Sequence, residues 1–505
     1  MELNADACYR ALQTRDARFD GQLFVGVKTT GIYCRPICPA RTPKREHVVF
    51  FPSAAAAQEA GFRPCLRCRP ETAPDLAAWR GTSNTVARAL ALIEIGGLDD
   101  ADVETLASRL GVGDRQLRRL FRRHLGASPV AVAQTRRVLL AKQLIHETTL
   151  PMSEVALAAG FGSIRRFNET FQRLFNRPPG ALRRIGAGAA SPSKGEVTML
   201  LRYKPPYDWP AMMAFLRARA IRGVEVVTED AYARTIEIDG SHGTVLVRQG
   251  KGHTLKITVR FPKLAALPTI IARLRRQFDL SADPHAIGAQ LSEDPVLARL
   301  VSERPGLRVP GAWDGFELAV RAVLGQQVSV LAGIGLAARL VAAHGERLQS
   351  GGYTERIDFG MRKADHADTG RALYRRLTHV FPRPERLASL DPATLPMPRS
   401  RATALVSLAR AVAADPQIFR IGRSLDEVVA QLRSMKGIGE WTAQYIAMRE
   451  LREPDAFPSA DVGLQRAMAG ADGRRPTARE LLERAEQWRP WRAYAAQHLW
   501  VAAAG

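Results

Sequence analysis

Met435–Leu464 reads MKGIGEWTAQYIAMRELREPDAFPSADVGL. A tight Gly437-Ile438-Gly439 turn separates two helical patterns, and the stretch ends in a lone carboxylate, Asp461, just past a Pro-Ser loop. Glycines let a backbone run close to another surface, and N–H groups at a helix start point outward, which suits a phosphate. Trp441, Tyr445 and Ile446 then recur at helical spacing, so an aromatic face follows the turn directly. A glycine turn between helices is by itself most often structural. Turn, aromatic helix and Asp461 together are more specific. DVGLQRAM also opens a helix, so Asp461 reads as an N-cap as well, and the cap would fix its carboxylate.

Outward from this stretch, 505 residues exceed one core and suggest about three or four domains. Lys and Arg number 73 against 50 Asp and Glu, leaving +23, which points to nucleic acid or a membrane surface as partner. No apolar run reaches the roughly eighteen residues of a membrane span, and the start, MELNADACYRALQTRDARFDG, lacks a basic-then-apolar signal pattern. The expectation is a cytoplasmic, nucleoid-associated protein that binds double-stranded DNA and no membrane.

All five cysteines fall within the first 68 residues. Cys34 and Cys38 form one close pair, Cys65 and Cys68 another, and two thiolate pairs brought together make a soft tetrahedral site that selects zinc. Cys8 lies outside the pattern and reads as a plain helix residue. Spacing alone allows a closed zinc knot with no further role. TTGIYCRPICPAR and AGFRPCLRCRPE, however, resemble the zinc domain of the Ada family. The resemblance implies that Cys34 accepts a methyl group from a DNA methylphosphotriester, with one zinc that is structural and also keeps Cys34 as the nucleophilic thiolate. Methylation would remove one negative charge from a four-thiolate site and so weaken its repulsion from phosphates. Arg35, Arg41, Lys44, Arg45, Arg63, Arg67 and Arg69 surround the site and would hold phosphates; taken singly, each reads as a solvated charge.

VETLASRLGVGDRQLRRLFRRHLGASPVAVAQTRRV is a helix, a glycine turn and a basic helix, and MSEVALAAGFGSIRRFNETFQRLFNRPPGALRR repeats it. Leu117, Leu120 and Phe121, then Phe167, Phe171 and Phe175, are core anchors. Arg115, Arg118, Arg119, Arg122, Arg165, Arg166 and Arg173 lie between them and would read bases or hold phosphates. The pair resembles the AraC-type DNA-binding domain, which implies promoter DNA and RNA polymerase as partners.

IGAGAASPSKG, Ile185–Gly195, is a flexible tether by composition. VTMLLRY, ARTIEID, GTVLVRQ and TLKITVRF alternate as half-buried antiparallel strands, KPPYDWPAMMAFLRARA supplies a covering helix, and helices dominate from Trp313 on. A polar insertion, about 349–377, reads as a disordered loop. PPYDWPAMMAFLRARA, RPGLRVPGAWDGFELAVRAVLGQQVSV, the Gly-Ile-Gly stretch and WRPWRAYAAQHLW resemble the AlkA-type DNA-3-methyladenine glycosylases of the helix-hairpin-helix superfamily. That resemblance implies a DNA-binding turn at Gly437, Ile438 and Gly439, and a base pocket of Trp441, Tyr445, Trp500 and Phe215. It also places Gln327 where the family carries a leucine wedge.

Breaking an N-glycosidic bond builds an oxocarbenium-like sugar, which one carboxylate can stabilise; Asp461 is the candidate. Trp441 stands where bifunctional relatives carry a lysine nucleophile, so the enzyme is expected to be monofunctional. No cysteine follows Cys68, so no iron–sulfur cluster is expected. The expected architecture is multidomain α+β. A zinc domain covers 1–80, an all-α double helix-turn-helix 81–185 and a linker 186–195. An antiparallel-sheet α/β domain covers 196–310 and an all-α glycosylase domain 311–505. The expected function is excision of alkylated purines joined to self-methylating transcriptional control; the alternative is a regulator whose glycosylase half is catalytically weak.

Overall fold

A computed structural model of the protein describes residues 4–73, 84–99, 101–183, 196–348, 373–416, 418–419, 425–470 and 472–504. No helix among them is long and apolar enough to cross a membrane. The chain divides into two compact units. The first comprises 1–204 with 263–272 and 280–282, and the second comprises 205–262, 273–279 and 283–505.

In the first unit, Asn4 caps helix α1 (Ala5–Gln13), which buries Cys8 and Leu12 against β1 (Phe24–Val27). Cys8 is thus core, as its position outside the cysteine pairs suggested. Strands β2 (Ile32–Cys34) and β3 (Val48–Phe51) flank β1 in antiparallel register, α2 (Ala54–Glu59) follows, and β4 (Arg63–Pro64) runs parallel to β2. The Tyr33 carbonyl accepts from the Cys65 N–H at 3.0 Å, so the two cysteine-bearing turns leave the sheet side by side.

The next helices are α3 (Asn84–Glu94), α4 (Val103–Arg109), α5 (Asp114–Leu125), α6 (Pro129–Glu147), α7 (Met152–Ala158) and α8 (Ile164–Phe175). Helix pairs α4–α5 and α7–α8 are the two repeats. Each turns at a glycine with positive φ, Gly111 (+69) and Gly160 (+82), where a side chain would be strained. Leu117 and Phe121 are fully buried, and Phe167, Phe171 and Phe175 form a ring ladder with centroids 4.8 and 5.4 Å apart. Burial of each such side chain contributes about 1.5–3 kcal/mol. Strand β5 (Glu196–Arg202) follows residues that include the expected tether, which lies outside the described residues.

The second unit begins with α9 (Trp209–Ala218), capped by Asp208 and packed on β6 (Glu225–Val227) and β7 (Ala231–Ile238) as a covering helix. Strands β8 (Ser241–Gln249) and β9 (Thr254–Arg260) continue an antiparallel meander. Helix α10 (Leu267–Gln277) has residues in both units, and α11 (Pro284–Leu291) and α12 (Pro295–Glu303) follow in the second; none of the three is among the elements expected from the sequence. Helix α13 (Gly315–Leu324) is buried almost all round, as the core helix of an all-α layer must be. It packs against α14 (Val330–His344). The helices that complete the unit are α15 (Pro384–Ala388), α16 (Arg399–Ala414), α17 (Leu425–Arg433), α18 (Glu440–Arg449), α19 (Val462–Ala467), α20 (Ala478–Ala485) and α21 (Arg492–Ala504). Residues 349–372 of the expected insertion lie outside the described residues. Its end is no loose loop: Leu373 and Leu377 are buried with Val226, Ala231, Ala233 and Leu246.

Candidate functional sites

A cavity of about 720 Å³ lies within the second unit, with Phe215, Trp313, Trp441, Tyr445, Trp500 and Asp461 in its walls. Trp441 and Tyr445, one helical turn apart on α18, stack at 5.1 Å and 10°. Trp500 of α21 meets Tyr445 edge-on at 6.4 Å and 66°. Asp461 is the N-cap of α19. Its Oδ1 accepts from the Leu464 N–H at 3.0 Å and from Trp500 Nε1 at 2.9 Å, and its Oδ2 accepts from Trp441 Nε1 at 2.8 Å. Three donors fix the orientation of the carboxylate, and Oδ2, with a single donor, keeps acceptor capacity. At Gly463 a Cβ would stand 2.9 Å from Asp461 Oδ1, so a side chain there would dislodge the carboxylate.

Two arginines escaped the sequence reading. Arg449 is 3% exposed, and its guanidinium lies 4.4 Å from the Phe215 ring centroid, 4.9 Å from Tyr445 and 5.4 Å from Trp500. It donates to the Pro310 carbonyl at 2.8 Å and to Gln497 at 3.3 Å, and burial pulls its pKa down to about 10. Arg219 covers Phe215 from 4.0 Å. A quartet of buried charges stands in the same wall. Arg321 bonds Glu225 and Glu317 at 2.6 Å each, and Arg234 bonds Glu317 at 2.7 Å. Against the cost of burial, these arginines hold Glu317 down to about 2. The available signal for Arg449 was its position four residues after Tyr445, on the same helix face.

The hairpin turn joins α17 to α18. Gly437 has φ +86, and a Cβ there would meet Ala404 Cβ at 2.4 Å, so glycine is required twice over. Gly439 faces open space at the start of α18. Ile438, expected to contact DNA, is instead 4% exposed and donates its N–H to Met435 O at 3.1 Å; it anchors the turn from beneath. Gln327 sits exposed at φ +54 between α13 and α14. Its neighbour Gln326 donates to Gly437 O at 2.8 Å and to Thr442 Oγ1 at 3.2 Å, tying that turn to the hairpin.

In the first unit, the sulfurs of Cys34, Cys38, Cys65 and Cys68 all lie within 4.8 Å of one another. Hydrogen bonds from Cys34 pull Cys38 down to about 7 and also lower Cys65, while hydrogen bonds to Cys38, Cys65 and Cys68 push Cys34 up. Four sulfurs so close cannot all ionise without a cation between them, and a four-thiolate set fits zinc. Cys38, Cys65 and Cys68 are buried; Cys34 is the half-exposed member and lines a cavity of about 400 Å³ with Arg41, Arg63, Arg67 and Arg177.

Arg35, expected on the surface, is instead buried. It pairs with Asp20 and donates to the Cys68 carbonyl at 3.1 Å and to Thr72 at 2.9 Å, so it braces the cysteine turns. Lys142 of α6, fully buried, donates to Glu71 at 2.5 Å and to the Cys65 carbonyl at 3.0 Å. Arg69 bridges Glu71 at 3.1 Å and Glu147 at 2.8 Å. Among the repeat arginines, Arg122 is held by Glu59 of α2 at 2.5 Å, Arg118 lies 3.6 Å from Asp114 and Arg165 2.8 Å from Glu169. Arg115, Arg119, Arg166 and Arg173 are exposed with no carboxylate partner among the described residues.

Comparison with known proteins matches this layout. Residues 7–71 match the metal binding domain of Ada, 106–185 a helix-turn-helix domain and 198–314 the AlkA N-terminal domain. The chain is therefore a fusion of an Ada-type regulatory half with an AlkA-type glycosylase half. A Mycobacterium tuberculosis protein named as a probable bifunctional transcriptional activator/DNA repair enzyme AlkA is 41% identical over 499 residues, covering 98% of this chain and 96% of that one. The chain belongs to this family of bifunctional transcriptional activator/DNA repair enzymes. DNA-3-methyladenine glycosylase 2 of Escherichia coli is 34% identical over 304 residues, 59% of this chain and 95% of its own length. The structure of a 3-methyladenine DNA-glycosylase from Archaeoglobus fulgidus shares the fold, with TM-score 0.50 and 20% identity over 60% of this chain and 98% of that one.

Proposed function

We propose that the second unit excises alkylated purines of the 3-methyladenine kind from double-stranded DNA, with Asp461 as its catalytic carboxylate. The observation that carries this reading is one carboxylate held by two indoles and a backbone N–H in the wall of an aromatic cavity. Trp441, Tyr445, Trp500 and Phe215 receive the extruded base between ring faces, where stacking and cation–π attraction favour an electron-poor purine. As the glycosidic bond breaks, its electron pair leaves with the base and positive charge develops on the sugar. Asp461 stabilises that charge and orients a water, which adds at C1′ and loses a proton to solvent, leaving an abasic site. Gly437 and Gly439 bring backbone N–H groups to a phosphate, and Gln327 enters the duplex to meet the orphan base. With Trp441 in the lysine position no Schiff base forms, so the reaction is monofunctional. Release of free methylpurine from alkylated duplex DNA by the purified chain tests the reading; an intact methylpurine content after incubation would favour the regulator with a weak glycosylase half.

We further propose that the first unit, through a zinc domain at 1–80 and a helix-turn-helix domain at 81–185, senses methylphosphotriesters. Cys34 is the acceptor because it alone of the four cysteines is not fully buried and lines the neighbouring cavity with arginines. One zinc, when bound, keeps the sulfurs as thiolates. The Cys34 sulfur attacks the methyl carbon, the S–C bond forms, the C–O bond breaks and the phosphodiester leaves with the electron pair. The site then carries one negative charge fewer and tolerates promoter DNA better, so affinity for the operator rises and RNA polymerase is recruited. The glycosylase half, with its sheet domain at 196–310 and its all-α domain at 311–505, needs no iron–sulfur cluster, and the whole acts on the nucleoid without a membrane partner. Peptide mass mapping after exposure to methylphosphotriester DNA should find the methyl on Cys34; a methyl on Cys8, or on no cysteine, would return the site to a structural knot.

A further inference from the structure

We propose that Leu331, four residues after Gln327, is the apolar side chain that enters the duplex and occupies the space left by the extruded nucleotide, an inference that rests on the glycosylase reading above. Leu331 is 83% exposed, more than any other exposed large apolar side chain described, and stands in the first turn of α14. Val328 and Val330, 37% and 50% exposed, flank it, and both also line the cavity that holds Asp461. The apolar patch is therefore the rim of that cavity. Its other side is fixed to the hairpin through Gln326, whose carbonyl in turn accepts from Arg401 at 2.6 Å. A strand gripped at Gly437–Gly439 with one nucleotide in the cavity passes this rim.

The chemistry favours a base step as occupant. Arg401, bonded to the Gln326 carbonyl, brings positive charge to the connection before α14, and Lys436 is exposed next to Gly437 of the hairpin; both suit phosphates. Gln327 at the tip can hydrogen-bond an orphan base, but an amide replaces stacking poorly; side chains that part base steps are apolar wedges. Leu331 supplies that surface from the first turn of α14, which opens just after the connection that carries Gln327, so the two divide the work: the amide reads the orphan base and the leucine holds the gap open.

The test is base release by the full-length chain from one alkylated oligonucleotide, presented as a full duplex and as a duplex lacking the base opposite the lesion. Leu331→Ala should lower release from the full duplex by about tenfold or more, a larger loss than Gln327→Ala, and Leu331→Met should recover most of it. The deficit should shrink to about threefold or less on the gapped substrate, where extrusion needs less help. Because the side chain is exposed, the thermal midpoint should not move. Release by Leu331→Ala within about twofold of wild type would overturn the inference. So would equal deficits on both substrates, or a changed sedimentation coefficient marking the patch as a protein interface. No release by the wild-type chain would sink the glycosylase reading, and this inference with it.

Discussion

Asp461 caps α19, and one substitution separates that duty from the catalytic one proposed for it. Asp461→Asn keeps an oxygen for the cap but removes the charge that meets the developing cation. Base release should fall by about two to three orders of magnitude in single-turnover assays, while affinity for damaged duplex stays within a few-fold. A rate near wild type would remove Asp461 from the chemistry. A second single-residue effect concerns His498, which burial, aided by Arg304, pulls down to about 4 from the ordinary 6.5. The folded chain refuses a proton that the unfolded chain accepts. Stability tied to His498 is therefore complete above pH 6.5 and is lost as pH falls to about 4, by roughly 3 kcal/mol. His498→Gln should flatten the unfolding midpoint across that window; an unchanged slope would refute the assignment. Asp461 and the four cysteines were legible in the sequence because spacing and residue type carry their chemistry. Arg449, Arg219 and Ile438 were not, because a charge or an apolar residue in a linear pattern does not say whether it faces a cavity, water or the core.

Among the elements, α6 does more than join two repeats. It drives Lys142 into the region of the cysteine turns, where Glu71 is its carboxylate partner at 2.5 Å. Glu71→Ala should destabilise the first unit by about 3–5 kcal/mol, since it leaves a buried ammonium without a counter-charge. Glu71→Leu with Lys142→Met should restore much of that in urea unfolding; equal losses in single and double variants would mean the pair does not act as a unit. The basic helices α5 and α8 were readable from apolar anchors alternating with arginines, and the strands from their period of two. Helices α11 and α12 were missed although each opens with Asp-Pro, Asp283-Pro284 and Asp294-Pro295, where Asp caps and Pro takes the first helical position. The proline was a start signal that short apolar patterns did not make audible.

Across the whole molecule, the zinc ligands and the helix-turn-helix repeats share buried bonds, so they should lose structure together. Incubation with a strong chelator should melt helices of the first unit in the same transition that frees the thiols, while base release by the second unit persists. Helix loss that lags thiol exposure would show that Lys142, Arg69 and Arg122 do not couple them. The clasp on Asp461 has a further consequence, an optical one. Two of the seven tryptophans of the chain have their indole N–H groups engaged with one carboxylate, and their rings face the space a nucleobase would enter. A ring sliding between them changes both the polarity and the quenching partners of the indoles, so the protein carries its own fluorophores at the point of capture. Stopped-flow emission from unlabelled protein should resolve base entry as a phase ahead of bond cleavage, and Trp441→Phe should erase part of its amplitude.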